Sequence, residues 1–289
     1  MWDAITEHIS ESIATPFRFS NAQPIGGGCI NEAYKLKGDG ISFFAKLNHA
    51  NSLEMFETEA EALQEIAGTD TIRVPRPICH GIYGKKAYLV LEYLNLRNCG
   101  SMMELGRCLA KLHAIPQTNF GWERDNTIGS TLQPNPASDD WVSFLRDHRL
   151  GFQCNLAKRN GLKLNGAAEL LDRLDDYFIN YNPKPSLLHG DLWSGNVAFG
   201  QGGEPVIYDP ATYRGDREAE FGLAEMFGGF ESDFWAAYES EHPLHPGYSV
   251  RKLIYRLYHT LNHFNLFRGS YGLSAEKLVD QLLSVRVKN

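Results

Sequence analysis

The stretch from Leu187 to Asp209 constrains this chain more than any other. An apolar pair, Leu187-Leu188, leads into His189-Gly190-Asp191, and Asn196 follows five positions after Asp191. A second apolar run, Pro205-Val206-Ile207-Tyr208, then delivers another acid, Asp209. Short apolar runs bounded by Gly and polar residues read as buried strands. Here they form a hairpin-like unit that holds three polar side chains at fixed offsets. Such a unit needs a water-excluding scaffold. The chain has 289 residues, 43% hydrophobic and 22% charged, which is material for one large globular domain or two lobes.

An Asp, an Asn and a second Asp in this arrangement suit phosphoryl transfer from a metal-bound nucleotide. The first Asp orients or deprotonates the acceptor hydroxyl, while the Asn and the second Asp hold Mg²⁺ against the phosphates of ATP. The spacing D-x-x-x-x-N is that of the protein-kinase catalytic loop. Gly190 stands where that loop carries the Arg that reads a phosphorylated activation loop, which points to a small-molecule kinase. A lone Asp or Asn in a Gly-containing loop is ordinarily a turn residue. The full string is more specific, because two apolar runs bracket the acids.

Formal net charge is −7 and the isoelectric point is near 5.8, so bulk attraction to nucleic acid or an anionic membrane is not expected. A nucleotide must be held by local devices. The five cysteines include no C-x-x-C pair, which argues against a disulfide scaffold or zinc site and for a reducing cytoplasm. The N-terminus has no basic cluster followed by an apolar run, so no signal peptide is expected. No run approaches the length needed to span a bilayer.

Trp2, Ile5, Ile9 and Ile13 recur at helical spacing, and Pro16 ends that helix. Gly26-Gly27-Gly28 then lie between two strand-like runs. Glycine lets a backbone approach phosphates, but the segment is neither a Walker A loop nor G-x-G-x-x-G, and a plain turn competes with a phosphate loop. Lys46 ends the apolar run Ile41–Leu47, either as a strand-edge residue or as the Lys that a kinase places on its third strand. The helix after it carries Glu57, Glu59 and Glu61. Glu59 is chosen to pair with Lys46 over Glu57 and Glu61, and a solvated acidic face accounts for at least one of the three. A hairpin around Gly84-Lys85-Lys86 leads to Glu92-Tyr93-Leu94, the expected adenine hinge and lobe boundary. Residues 119–135, rich in Gly, Asn and Pro, are too long for a simple connector. They serve acceptor recognition or pack as a loop. His113 reads as a helix-terminal packing residue. The pattern of strands with one helix, then mostly helices around a catalytic hairpin, is α+β in two lobes: residues 1–93 as a small antiparallel-sheet lobe and 94–289 as a larger helical lobe.

Taken together, Gly27–Asn31, Phe56–Glu59, Ile128–Gln133, Leu188–Asn196 and Tyr208–Tyr213 resemble the fructosamine kinase (ketosamine-3-kinase) family, relatives of aminoglycoside phosphotransferases and choline kinases with a protein-kinase-like fold. The Leu-Trp-Ser-Gly insert and Asp-Pro-Ala separate that family from its neighbours. The resemblance covers nearly the whole chain. It implies ATP-dependent phosphorylation of a ketosamine sugar hydroxyl, O3, as a deglycation step on small-molecule or protein-bound adducts. It further implies Asp191 as catalytic base or orienter, Asn196 and Asp209 as Mg²⁺ ligands, Lys46 with Glu59 on the phosphates, Gly26, Gly27 and Gly28 over them, and Glu92, Tyr93 and Leu94 at the adenine. Trp193 is the candidate lining the acceptor pocket. Asp216 also belongs to the acceptor candidates, in a Gly-Asp-Arg-Glu loop where many relatives are expected to carry His.

Cys29 sits in the Gly-rich loop, where backbone N–H groups would favour its thiolate. It is either an inert small residue or a redox site that could block the phosphates or join two otherwise monomeric chains. A kinase of choline, an aminoglycoside or another amino alcohol would keep every nucleotide residue and differ only in its pocket. A non-enzymatic nucleotide-binding module would be expected to lack Asp191 or Asp209, and both are present.

Overall fold

The computed structural model describes residues 1–26 and 30–285. Backbone proximity divides the chain into two units, Met1–Gly100 with Ala198–Pro210, and Ser101–Val197 with Ala211–Asn289. A single cut after residue 93 therefore misses a returning segment. The reason is backbone pairing. Arg97 and Phe199 exchange both of their backbone hydrogen bonds, at 2.8 and 2.9 Å, and the Ile207 N–H donates to the Arg73 carbonyl at 3.0 Å.

In the first unit, helix α1 (Trp2–Ser12) follows the apolar spacing and buries Ile5 and Ile9 completely. Strands β1 (Phe19–Ile25), β2 (Glu32–Gly38), β3 (Ile41–His49), β4 (Pro77–Tyr83) and β5 (Lys86–Glu92) form an antiparallel sheet in the order β1-β2-β3-β5-β4. Helix α2 (Leu53–Gly68) connects β3 to β4. Side chains alternate across a strand. On β3, Phe43, Ala45 and Leu47 join Ile5, Ile9, Leu36, Tyr88 and Val90 in one buried cluster. Lys46 must then face the other side of the sheet, where its cross-strand partner is Leu89. Helix α2 turns Phe56, Glu59, Ala60, Leu63 and Ile66 inward. Each fully buried Ile or Leu contributes roughly 1.5–3 kcal/mol. The alternation that builds this core also delivers one Lys to one buried Glu.

The second unit is mainly helical. Helix α3 (Met102–His113) is capped by Ser101, whose hydroxyl accepts the Glu104 N–H at 3.1 Å. The long polar stretch after it contains a hairpin that periodicity did not reveal, β6 (Asn126–Ile128) with β7 (Thr131–Gln133). Trp141–Phe144 continues into a π-helical segment, Leu145–Gly151. The helix Ser232–Glu241 packs on α3. The long helix Tyr248–Phe267 packs between Phe221–Phe227 and Tyr271–Ser284. Within this scaffold, strands Pro185–Leu188 and Tyr213–Asp216 pair antiparallel and bracket the His-Gly-Asp turn. Among the described residues no helix is long and apolar enough to cross a membrane.

Candidate active site

Lys46 Nζ lies 2.6 Å from Glu59 Oε1 and 2.6 Å from Asp209 Oδ1. The Lys46 and Glu59 side chains are 7% and 10% exposed, whereas that of Asp209 is 48% exposed. Burial works against the Lys46 charge, but the carboxylates of Asp209 and Glu59 overcome it and raise the ammonium's pKa. Burial pushes the Glu59 carboxyl up, with Asp209 adding to the shift and Lys46 opposing it. One cation thus serves two acids, one buried and one open to solvent. Asp209 has φ +59°, a left-handed conformation that is uncommon outside Gly and marks a special backbone position.

The His-Gly-Asp turn is held from below. Leu187, Leu188 and Leu192 are fully buried and fix its two ends. Gly190 has φ +81°, and a Cβ there would collide with the carbonyl oxygen of Ala211, so only Gly fits. Asp191 is half-buried. Asn196 donates through Nδ2 to the Asp191 carbonyl at 2.8 Å and to Asp191 Oδ2 at 3.2 Å. The Asn196 amide nitrogen is thereby committed, which leaves Oδ1 as the side chain's acceptor. Asn196 Oδ1 and Asp209 are hard oxygens. Oxygens of this kind are the type of donor that Mg²⁺ takes.

The hold that Glu220 has on this turn is not marked in the sequence. Its buried carboxylate accepts the N–H groups of His189 and Gly190 at 2.6 and 2.9 Å, and His113 Nε2 lies 3.4 Å away. Burial would raise the Glu220 pKa, but His113, His189 and the Gly190 N–H outweigh it and hold the carboxyl low. His113 is a packing residue with a second role, because Nδ1 also bonds the Tyr238 hydroxyl at 2.8 Å. In the sequence Glu220 looks like one more acid in a helical first turn.

The other expected residues fall as follows. Gly26 borders open space, and Gly27, Gly28 and Cys29 lie outside the described residues. Asn31, ahead of β2, is tied to β3 by Asn48 Nδ2, which donates to Asn31 Oδ1 at 2.7 Å. The Glu92 carboxylate is engaged by the Arg73 guanidinium and by the Arg76 N–H, and Lys35 Nζ stands 3.6 Å over the Tyr93 ring. The Glu92 and Tyr93 side chains are thus engaged locally. The Trp193 ring lies over Gly195, where a Cβ would strike it, and against Phe227 with centroids 5.3 Å apart.

Asp216 departs from its expected acceptor role. It is completely buried, and its carboxylate accepts the Tyr181 hydroxyl at 2.7 Å, the Tyr255 hydroxyl and the Glu218 N–H at 3.1 Å. It caps the short helical turn Arg217–Glu220 and has no surface to offer a substrate. Beside it, Arg251 grips Glu218 in a two-point pair at 2.7 and 3.0 Å. The 119–135 stretch, expected either to recognise an acceptor or to pack, turns Asn126, Gln133 and Asn135 inward, each nearly fully buried.

Known proteins resemble this chain along its length. The family model described as fructosamine kinase matches residues 1–285. A protein of Synechocystis described as a probable ketoamine kinase is 46% identical over 287 residues, covering 98% of this chain and 97% of the relative. The chloroplastic protein-ribulosamine 3-kinase of Arabidopsis thaliana is 42% identical over 266 residues, covering 90% and 81%. The crystal structure of a fructosamine-3-kinase candidate from Haemophilus somnus superposes with a TM-score of 0.92 at 30% identity, over 98% of each chain.

Proposed function

Because this chain belongs to the fructosamine kinase family, and is therefore an ATP-dependent phosphotransferase acting on ketosamines, we propose that Asp191 orients and deprotonates the sugar hydroxyl, O3, that receives the phosphoryl group. The observation that carries this assignment is the anchoring of the Asp191 turn. Its backbone is fixed by Glu220 on one side and by Asn196 on the other. A group held this way needs no reorganisation when the phosphoryl group arrives, and positioning supplies much of the rate.

Lys46 contacts the nucleotide phosphates in this reading, and Glu59 keeps it in place. Gly26, Gly27 and Gly28 cover the phosphates, and the backbone from Glu92 to Leu94 bonds the adenine. Asn196 and Asp209 are the residues that would offer oxygens to Mg²⁺, which would supply charge neutralisation on the phosphates. Asp191 accepts the proton late, so it needs no raised pKa. Trp193 borders the acceptor. Free and protein-bound ketosamines both belong to the proposed acceptor range. A cytoplasmic location belongs to the same reading, supported by free Cys79, Cys99, Cys108 and Cys154.

Phosphorus NMR of the product made from fructosyl-lysine and ribulosyl-lysine tests the assignment. A phosphate on the sugar O3, lost with Asp191→Asn, is expected. A phosphate on another hydroxyl would overturn the regiochemistry.

A further inference from the structure

The hairpin of β6 and β7 carries a buried cross-strand pair, Asn126 opposite Gln133. Cross-strand partners project to the same face, and here both amides face the chain that follows Asp209. Gln133 Nε2 donates to the Ala211 carbonyl at 3.0 Å and to Asn126 Oδ1 at 2.8 Å. Asn126 Nδ2 donates to the Thr212 carbonyl at 2.7 Å. Gln133 Oε1 accepts the Tyr258 hydroxyl at 2.7 Å.

The direction of every bond is fixed by one residue. Arg149, buried in the π-helical segment, can only donate. Its Nη2 lies 2.6 Å from Asn135 Oδ1, so Asn135 must present Nδ2 to Asn126 Oδ1, at 2.9 Å. Asn126 then has only Nδ2 left for Thr212. The carbonyls of Ala211 and Thr212 can only accept, which closes the chain. Arg149 is itself clamped between the rings of Tyr213 and Phe144, at 4.1 and 4.6 Å.

Ala211 passes this constraint on. Its N–H donates to the His189 carbonyl at 2.9 Å, and its own carbonyl packs against Gly190. The amides therefore grip Ala211 on one side while Ala211 grips the two residues before Asp191 on the other. A buried network of three amides and a guanidinium is no more stabilising than apolar side chains of the same volume, so its worth lies in fixing geometry.

We infer that Gln133 and Asn126 are positioning residues for phosphoryl transfer: they clasp the Ala211–Thr212 backbone and, through it, set the turn that presents Asp191. This rests on reading Asp191 as the group that orients the acceptor hydroxyl.

The test is a mutant cycle between Gln133→Met and Asp191→Asn, with kcat, the KM for ATP and the unfolding midpoint measured on each variant. Gln133→Met keeps the side-chain length and removes the donor. With Asp191 present, kcat is expected to fall about 30- to 100-fold while the KM for ATP stays within about 3-fold. In the Asp191→Asn background the same change is expected to alter the residual rate by less than about 3-fold. Leu132→Ala, on the exposed side of the same hairpin, is expected to leave kcat unchanged. A folded Gln133→Met with wild-type kcat, or one whose loss is equally large without Asp191, would overturn the inference. If Gln133→Met does not fold, Tyr258→Phe decides. It removes only the hydroxyl that fixes the Gln133 amide, and kcat is expected to fall about 5- to 10-fold with Asp191 present and not without it. An unchanged kcat in Tyr258→Phe would equally overturn the clasp. Wild-type turnover in Asp191→Asn itself would instead remove the reading of Asp191.

Discussion

Glu220 accepts the Gly190 N–H at 2.9 Å from 30 residues away in the chain, and through its second oxygen it takes the His189 N–H as well. The turn that carries Asp191 is thus fastened to a buried carboxylate. Replacing Glu220 by Ala leaves two buried N–H groups and His113 without their acceptor. Each such group costs about 1–3 kcal/mol, so Glu220→Ala is expected to lose about 3–5 kcal/mol of stability and most turnover. Urea unfolding and steady-state assays check this. A stable, active Glu220→Ala would mean that the turn is held by other means.

Gly190→Ala places a methyl group against the Ala211 carbonyl in a residue already at φ +81°. The turn must move, and a displacement near 1 Å at the reacting group costs about 100-fold in rate. Turnover is expected to drop at least that far, while unfolding shows a folded protein. Normal kcat in Gly190→Ala would show that the turn tolerates the shift.

Lys46→Met removes the cation shared by Glu59 and Asp209. The KM for ATP is expected to rise and kcat to fall, together by about 100-fold or more. Glu59→Gln keeps the cation and loosens its position, so a smaller loss of about 10-fold is expected. Combining the two should cost no more than Lys46→Met alone, because Glu59 acts through Lys46. Fully multiplied losses would separate them.

Asp216 gives the fold a pH dependence. Burial first, and then the neighbouring Glu218 charge, push its carboxyl up to about 6, against hydrogen bonds from Tyr255, the Glu218 N–H and Tyr181 that pull it down. The unfolded chain releases this proton near pH 4. Between about pH 4 and about 6 the folded state binds more protons than the unfolded state, so stability from this group falls as pH rises, by about 2–3 kcal/mol in all, and is constant above that window. Comparing the urea midpoints of wild type and Asp216→Asn at pH 4.5 and 6.5 isolates the effect. A wild-type curve parallel to that of the variant would contradict it.

The first unit was legible because alternation and spacing carry it. Ile5 and Ile9 at helical period, and Phe43, Ala45 and Leu47 at period two, place Lys46 opposite the core and leave Glu59 to meet it. The His-Gly-Asp turn was legible because Leu187 and Leu188 lead into it. What stayed hidden is held by single long-range polar contacts. Glu220 and Arg149 have no periodic neighbours that mark them, Gln133 is marked by the family resemblance but not by its contacts, and an acid such as Asp216 reads as surface until burial is seen. The β6–β7 hairpin was hidden for a related reason: three-residue strands are too short to show alternation, and its core-facing residues are amides.

The most direct measurement is ATP consumption by the purified protein with Mg²⁺ across fructosyl-lysine, ribulosyl-lysine, erythrulosyl-lysine, choline and kanamycin, with Asp191→Asn as the blank. The account predicts turnover on at least one ketosamine, a drop of several orders of magnitude in the blank with ATP still bound, and none on choline or kanamycin. Turnover confined to choline or kanamycin, or undiminished in Asp191→Asn, would contradict it.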